Sequence, residues 1–454
     1  MNDRIKKWLN VLDKFETILL HLPNTVYYGI LVGINGIILE VSGLKLPLGT
    51  ICIIEKDHSS LDLNFLEAEV VGFRDDLLFL LPLEDISGIV CNSRVTPKIF
   101  NGSNVSTNKL PVCDQLLGRV LNGLGQPLDH LSKLDEKYNV SLTSTSINPL
   151  DRIPIFDVLD TGVRSINSLL TIGRGQKIGL FSSSGVGKSV LLGMMAKYTK
   201  ADIIILSLIG ERSREIKEFI NSVLTKDVLS RSVVISAPAE SSVIMKTRGS
   251  IYAMRIAEYF RDNNYHVLLI MDSLTRYAMA HREISLSIGE LPVLRGYPAS
   301  VFSKILSLIE RVGNGKDDRG SITSFFTVLT DEDDKNDPIS ESAKSILDGH
   351  LILSREYAES GHYPAINIET SISRVMPIIV DDVHYSKACY FKKVFSCYQR
   401  NKDLINVGAY VSGADKELDI SISLFPKFKK FLQQNMTEIS NFFDSKQELY
   451  SLFN

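Results

Sequence analysis

Two hydrophobic periods divide the chain. Over residues 4–22 apolar side chains recur at helical spacing. Ile5, Trp8, Leu9, Leu12, Phe15 and Leu19 share one face, with Lys6, Lys7, Asp13 and Glu16 elsewhere. Pro23 ends the run. This amphipathic helix either packs on its own domain or docks a partner; its terminal position and a Trp on the stripe support docking. From 25 to 97 the period shortens to that of strands. Asn35-Gly36 separates two apolar runs as a hairpin turn does, and further runs cover 49–55, 67–73 and 77–81. Short strands at this spacing predict a small β-barrel without a catalytic cluster, hence an assembly element.

Residues 98–150 are rich in turn signals, and 141–148 reads as loop. Between 151 and 376 apolar strands alternate with helical segments. Strand candidates are 176–181, 202–209, 232–237, 266–271, 321–329 and 349–353. That alternation predicts a parallel sheet covered by helices, with chemical groups at the carboxyl ends of its strands. Residues 377–454 are mainly helical. Phe391, Phe395 and Tyr398 share a face, and Phe428, Phe431, Leu432, Ile439, Phe442 and Phe443 share another near the end. No catalytic constellation is visible there; a packing domain and a partner-facing surface remain open. The resulting division is 1–24, 25–97, 98–376 and 377–454.

The chemistry concentrates at 175–189. A short apolar strand runs into Ser182-Ser183-Ser184-Gly185-Val186-Gly187-Lys188-Ser189, and a helix begins near Lys188. Turn amides and a helix N-terminus cradle phosphates, the lysine meets their charge, and the hydroxyl of Ser189 binds Mg²⁺. A ligand-free Gly-rich turn is the competing reading; Gly-Lys-Ser in register after a strand counts against it. Two carboxylates fall at strand ends. Glu211, in Gly210-Glu211-Arg212, either polarises an attacking water or caps the next helix. Asp272 closes Val267-Leu-Leu-Ile-Met271, the Walker B pattern that helps hold Mg²⁺. The acidic stretch 330–338 has no calcium-ligand spacing and reads as a solvated loop. His350 and His362 read as structural.

At 454 residues the chain exceeds one ordinary core, so two or three domains are expected. A net charge of −3 argues against nucleic acid as the main partner. The five scattered cysteines form no Cys-x-x-Cys, which fits a reducing cytoplasm. The N-terminus lacks the order of a signal peptide, and no apolar run is long enough to span a bilayer. Any membrane role would be peripheral.

The segment Pro364-Ala-Ile-Asn-Ile-Glu-Thr-Ser371-Ile-Ser373 resembles the signature of the rotary ATPase α/β superfamily. Gly185-Val-Gly-Lys-Ser, Gly210-Glu-Arg and Leu268-Leu-Ile-Met-Asp-Ser-Leu-Thr-Arg-Tyr277 stand in the superfamily's order. Within it the whole chain resembles the flagellum-specific ATPases of type III protein export. Trp8-Leu-Asn-Val-Leu-Asp-Lys-Phe15, Leu159-Asp-Thr-Gly-Val-Arg164, Gly296-Tyr-Pro298, Leu347-Asp-Gly-His350 and Gln399-Arg-Asn401 carry that likeness.

The resemblance implies an α/β P-loop (RecA-like) core, an N-terminal β-barrel and a helical C-terminal domain. It implies Mg²⁺-dependent ATP hydrolysis in a homo-hexamer. The loop from Ser182 to Val190 would hold the nucleotide, with Lys188 on the β/γ-phosphates and Ser189 and Asp272 at Mg²⁺. Glu211 would activate water beside Arg212, Tyr363 would stack on adenine, and Arg374 would be an arginine finger reaching a neighbouring subunit. Implied partners are an export-apparatus regulator at the N-terminal helix, flagellar export chaperones and substrates, and the membrane export gate. The implied location is cytoplasmic, peripheral to the inner membrane. Ser182 and Ser183 depart from the family's small Gly/Ala positions; at positive φ a Gly→Ser change would cost about 1–3 kcal/mol. Three other readings stand beside this one: a virulence-type secretion ATPase, a catalytic subunit of a proton-driven ATP synthase, and a non-catalytic ring scaffold. The ATP synthase reading predicts an acidic lever where 427–430 read Lys-Phe-Lys-Lys.

Overall fold

Alternation over residues 29–97 closes into a six-stranded antiparallel barrel. Its strands are β1 (Gly29–Asn35), β2 (Ile38–Ser42), β3 (Ile51–Glu55), β4 (Phe65–Arg74), β5 (Leu77–Pro82) and β6 (Arg94–Pro97), in the order β1-β2-β5-β4-β3-β6. The computed structural model describes residues 8, 11–12, 27–56, 65–100, 104–105, 109–144, 147–316, 320–330 and 337–453. Of the N-terminal amphipathic stretch, Trp8, Val11 and Leu12 are helical and exposed; the rest lies outside the described residues, as does 331–336 of the acidic stretch. Leu31, Leu39, Val41, Ile54, Leu66 and Val95 point inward. β6 was not among the strand candidates. It has a single inward apolar residue, Val95, yet it pairs with both β1 and β3 and so closes the barrel.

The core is a nine-stranded sheet. In chain order its main strands are β7 (Val120–Asn122), β8 (Lys177–Ser182), β9 (Ile203–Ile209), β10 (Ser232–Ala237), β11 (His266–Asp272), β12 (Ser321–Leu329), β13 (Gly349–Ile352) and β14 (Ile372–Ser373). They lie in the order β7-β10-β9-β11-β12-β8-β13-β14, and Gly313–Asn314 pairs off β12. All pairings from β7 to β13 are parallel. The six expected strands are present within about two residues; β7 is an addition from a segment that reads as turns. Every residue of β9 and β10 is buried, as expected for strands covered on both faces.

Helix α1 (Lys188–Tyr198) and α2 (Ser213–Val223) cover one face, where Ile204, Leu206 and Leu208 meet Leu192, Met195 and Phe219. Helices α3 (Val243–Asp262), α4 (Leu274–Ile288) and α5 (Ala299–Glu310) cover the other, through Tyr252, Phe260, Tyr277 and Ile305. The barrel packs on this second face. Ile38, Ile51, Phe79, Leu81 and Leu83 cluster with Ile244, and the nearly buried Arg248 and Glu69 pair at 3.5 Å.

Three helices finish the chain: α6 (Asp382–Asn406), α7 (Lys416–Leu432) and α8 (Phe442–Ser451). Phe391 stacks on Phe428 at 4.1 Å and Tyr398 on Phe425 at 3.6 Å. The apolar set expected near the end is not one surface. α7 stops at Leu432, and Ile439 and Phe443 are exposed. Arg164 fastens this region to the core by ion pairs with Glu438 and, at 2.7 Å, Glu448. Among the described residues no helix is long and apolar enough to cross a membrane.

Candidate nucleotide site

The sheet order assembles the site. β8 delivers the Gly-rich turn; β12, β11 and β9 lie beside it, so their carboxyl ends form one row. Gly185 (φ 82°) and Gly187 (φ 87°) are left-handed, the conformation that glycine adopts without a Cβ penalty. A Cβ on Gly187 would lie 3.2 Å from the Tyr363 ring. Gly187 also starts α1, and no side chain caps that end, so its first-turn amides are open to an anion. Val186 is buried in the core and anchors the turn. Neither Ser182 nor Ser183 has positive φ, so the strain a serine would suffer there does not arise. Their hydroxyls are buried without hydrogen bonds.

Charge converges on Lys188. Its Nζ donates to Asp272 Oδ1 at 2.6 Å and to Glu211 Oε1 at 3.2 Å. Thr327 Oγ1 donates to the same Asp272 oxygen at 2.6 Å. Arg276 stands 3.7 Å from Glu211 and packs against Gly210, where a Cβ would run into it. Burial pulls the Lys188 ammonium down, but Asp272 and Glu211 outweigh it and hold its pKa above the ordinary lysine value. Burial, then the neighbouring Asp272 charge, push the Glu211 carboxyl above its ordinary value; Lys188 and Arg276 offset only part. Lys188 bridges both carboxylates, and Arg276 stands as a second cation beside Glu211 alone. Glu211 is thus not a helix cap: Arg212 occupies the N-cap of α2.

Lys188, Ser189, Glu211, Arg212 and Arg276 line one cavity of about 320 Å³. Arg212 is mostly exposed, 3.8 Å from Glu215. Hard oxygen donors, the Ser189 hydroxyl and the Asp272 carboxylate, flank the loop. Among the described residues no group of three or more His, Cys, Asp or Glu could hold a metal. The Ser189 hydroxyl and the Asp272 carboxylate are the hard oxygens that Mg²⁺ takes, one or two from protein and the rest from phosphate and water.

A second, apolar cavity of about 340 Å³ adjoins the first through Gly187 and Val190. Tyr363 lines it with Leu191, Met194 and Pro364. Gln434, Asn435 and Met436 complete the wall. The C-terminal region, left open between packing and a partner-facing surface, thus supplies part of this cavity's lining. Nothing in Gln-Asn-Met announces a binding wall; the Gln434 N–H donating to the Tyr363 carbonyl at 3.0 Å puts it there. Arg276 and Thr327 were also missed, although Arg276 lies one helical turn past Asp272. Arg374 lines neither cavity. It is exposed just after the edge strand β14, its guanidinium donating to the Lys344 carbonyl at 3.2 Å.

Residues 162–373 match the nucleotide-binding domain of the ATP synthase alpha/beta family, and 380–451 match the C-terminal domain of the type III secretion ATPase EscN. The flagellum-specific ATP synthase of Buchnera aphidicola subsp. Baizongia pistaciae is 73% identical over 454 residues, 100% of both chains. That of Salmonella typhimurium is 53% identical over 454 residues, covering 100% of this chain and 99% of its own. The chain belongs to the flagellum-specific ATP synthase family. As a member it is a P-loop ATPase of type III protein export. Its fold follows the assembled ATPase EscN from the enteropathogenic E. coli type III secretion system (TM-score 0.86, 38% identity, 94% of this chain and 100% of that one). The EscN-type C-terminal domain turns the balance away from a proton-driven synthase subunit.

Proposed function

We propose that this flagellum-specific ATPase hydrolyses ATP with Mg²⁺ across the two adjoining cavities, in a six-membered ring. The observation that carries the reading is Lys188 held jointly by Glu211 and Asp272 at the mouth of an uncapped helix. Arrival of a triphosphate offers Lys188 a stronger anion. The ammonium moves to the β/γ-phosphates, and Glu211 is released to orient and deprotonate a water. Ser189 and Asp272 would hold Mg²⁺, which when bound would neutralise phosphate charge. Tyr363 stacks on the base, and Arg212 stands at the γ-phosphate side.

Arg374 reaches the neighbouring protomer's nucleotide; its exposure at the sheet edge, outside its own cavities, supports a role in trans. Four units divide the work: 1–24, 25–97, 98–376 and 377–454. Hydrolysis supports export of flagellar proteins delivered by chaperones. The N-terminal helix engages an export-apparatus regulator, supported by exposed Trp8 and Leu12. The ring works in the cytoplasm, peripheral to the inner membrane at the export gate. Glu211→Gln tests the core of this reading. Turnover should fall about 10²–10⁴-fold while a fluorescent ATP analogue still binds; undiminished turnover would remove Glu211 from the mechanism.

A further inference from the structure

The strand that carries the chain to Arg374 is β14, two residues long and at the edge of the sheet. It meets β13 through two residue pairs, Gly349 with Ser373 and His350 with Ile372. So short a ladder fixes little by itself, and side chains add the rest. His350 Nε2 bonds to the Thr370 carbonyl at 3.0 Å. The Ile352 N–H donates to Ser371 Oγ at 2.9 Å. Ser373 Oγ donates to the Thr171 carbonyl at 2.7 Å and accepts from Gln176 Nε2 at 3.1 Å. The Arg374 N–H donates to the Asp348 carbonyl at 3.0 Å. All these partners belong to the sheet and its loops.

One bond comes from another part of the chain. Lys392, on α6, donates from Nζ to the Ser371 carbonyl at 3.0 Å. Among the described residues no other hydrogen bond joins α6, α7 or α8 to residues 370–374. Burial pulls the Lys392 ammonium below its ordinary pKa, and Cys389 offsets little of that. No carboxylate among the described residues pairs with it. A largely buried charge without a counter-ion costs folding free energy, and one carbonyl compensates only in part. An apolar side chain of similar length would remove that cost. Stability therefore does not account for Lys392, whereas alignment of the edge strand does.

We propose that Lys392 is a positioning residue for Arg374: through the Ser371 carbonyl it ties α6 to the edge strand and so sets where the arginine stands toward the neighbouring protomer. The inference rests on the reading of Arg374 as a finger acting in trans.

The test is steady-state ATP turnover of the full chain with Mg²⁺ under ring-forming conditions, for the native chain, Lys392→Met, Arg374→Ala and the double variant. Lys392→Met should lower kcat about 10- to 100-fold, the effect of misplacing a group by about 1 Å. KM for ATP should stay within about twofold, because nucleotide contacts in the protomer's own cavities are untouched. The thermal unfolding midpoint should hold or rise, which a packing residue would not show. Lys392→Arg should recover most of the loss, since a guanidinium also donates to a carbonyl. The double variant should be no slower than Arg374→Ala, within about twofold, because Lys392 then has nothing left to position. Losses that multiply in the double variant, or an undiminished kcat in Lys392→Met, overturn the proposal. If Lys392→Met does not fold, Lys392→Gln, uncharged and shorter, takes its place in the same cycle. Native turnover in Arg374→Ala would instead remove the finger reading itself, and the proposal with it.

Discussion

Lys188 shared between two carboxylates makes the resting site a trap for a more negative ligand. Burial without neighbouring anions would favour the neutral amine; here Asp272 and Glu211 keep the ammonium protonated. The raised Glu211 pKa has a kinetic consequence. A water-activating carboxylate must be ionised, so kcat/KM falls as pH drops through the raised value. The acid limb of the profile should lie above the ordinary glutamate range, and Arg276→Met should move it higher by removing an offsetting cation. A limb at an ordinary carboxylate pKa would argue against Glu211 as the base. Ser182 illustrates a different lesson. Since its φ is not positive, Ser182→Gly relieves nothing and adds chain entropy to the unfolded state. Denaturant unfolding should show a loss of about 0.5–1 kcal/mol.

At the scale of elements, the site depends on what precedes each helix. α1 begins at a left-handed glycine with no side-chain cap, leaving its amides for phosphate. α4 begins at Ser273, whose hydroxyl accepts from the Arg276 N–H at 3.3 Å, and so aims Arg276 back toward Glu211. The same helix carries His281, edge-on to Tyr277 at 4.5 Å. Burial, with Lys304 nearby, pushes its pKa from 6.5 down to about 4. Between those values the unfolded chain binds a proton that the folded chain refuses. Stability from this group is therefore full above about 6.5 and lost as pH falls toward 4. Thermal unfolding of the native chain should lose on the order of 3 kcal/mol more across that window than His281→Gln does.

At the scale of the molecule, the sheet and the C-terminal segment line the two cavities, while the barrel packs away from them on the helices of the other face. The loop between α7 and α8 closes the apolar cavity through Gln434 and Met436, while Arg374 is exposed just after the edge strand β14. A trans finger predicts complementation. Arg374→Ala and Lys188→Ala should each be inactive, the former by about 10³–10⁵ in kcat. Mixed together, they should regain turnover, because a protomer with an intact loop then meets one with an intact arginine. No recovery on mixing, with mixed rings verified, would place Arg374 in its own protomer's structure.

How much of this was legible in one dimension follows from locality. The Gly-rich turn, the buried strands and the strand-end Glu211 and Asp272 are written in consecutive residues, because backbone conformation and burial of a strand are set by near neighbours. The barrel's β6, the edge strand β7 and Gln434–Tyr363 contact are not; each is stabilised by partners more than 60 residues away or by pairing that a four-residue segment cannot advertise. The sequence alone determined the fold class and the phosphate chemistry. Only the tertiary structure decided which carboxylates share Lys188, and that one wall of the apolar cavity comes from the chain's far end, because those are distances across the sheet and between segments far apart in the chain.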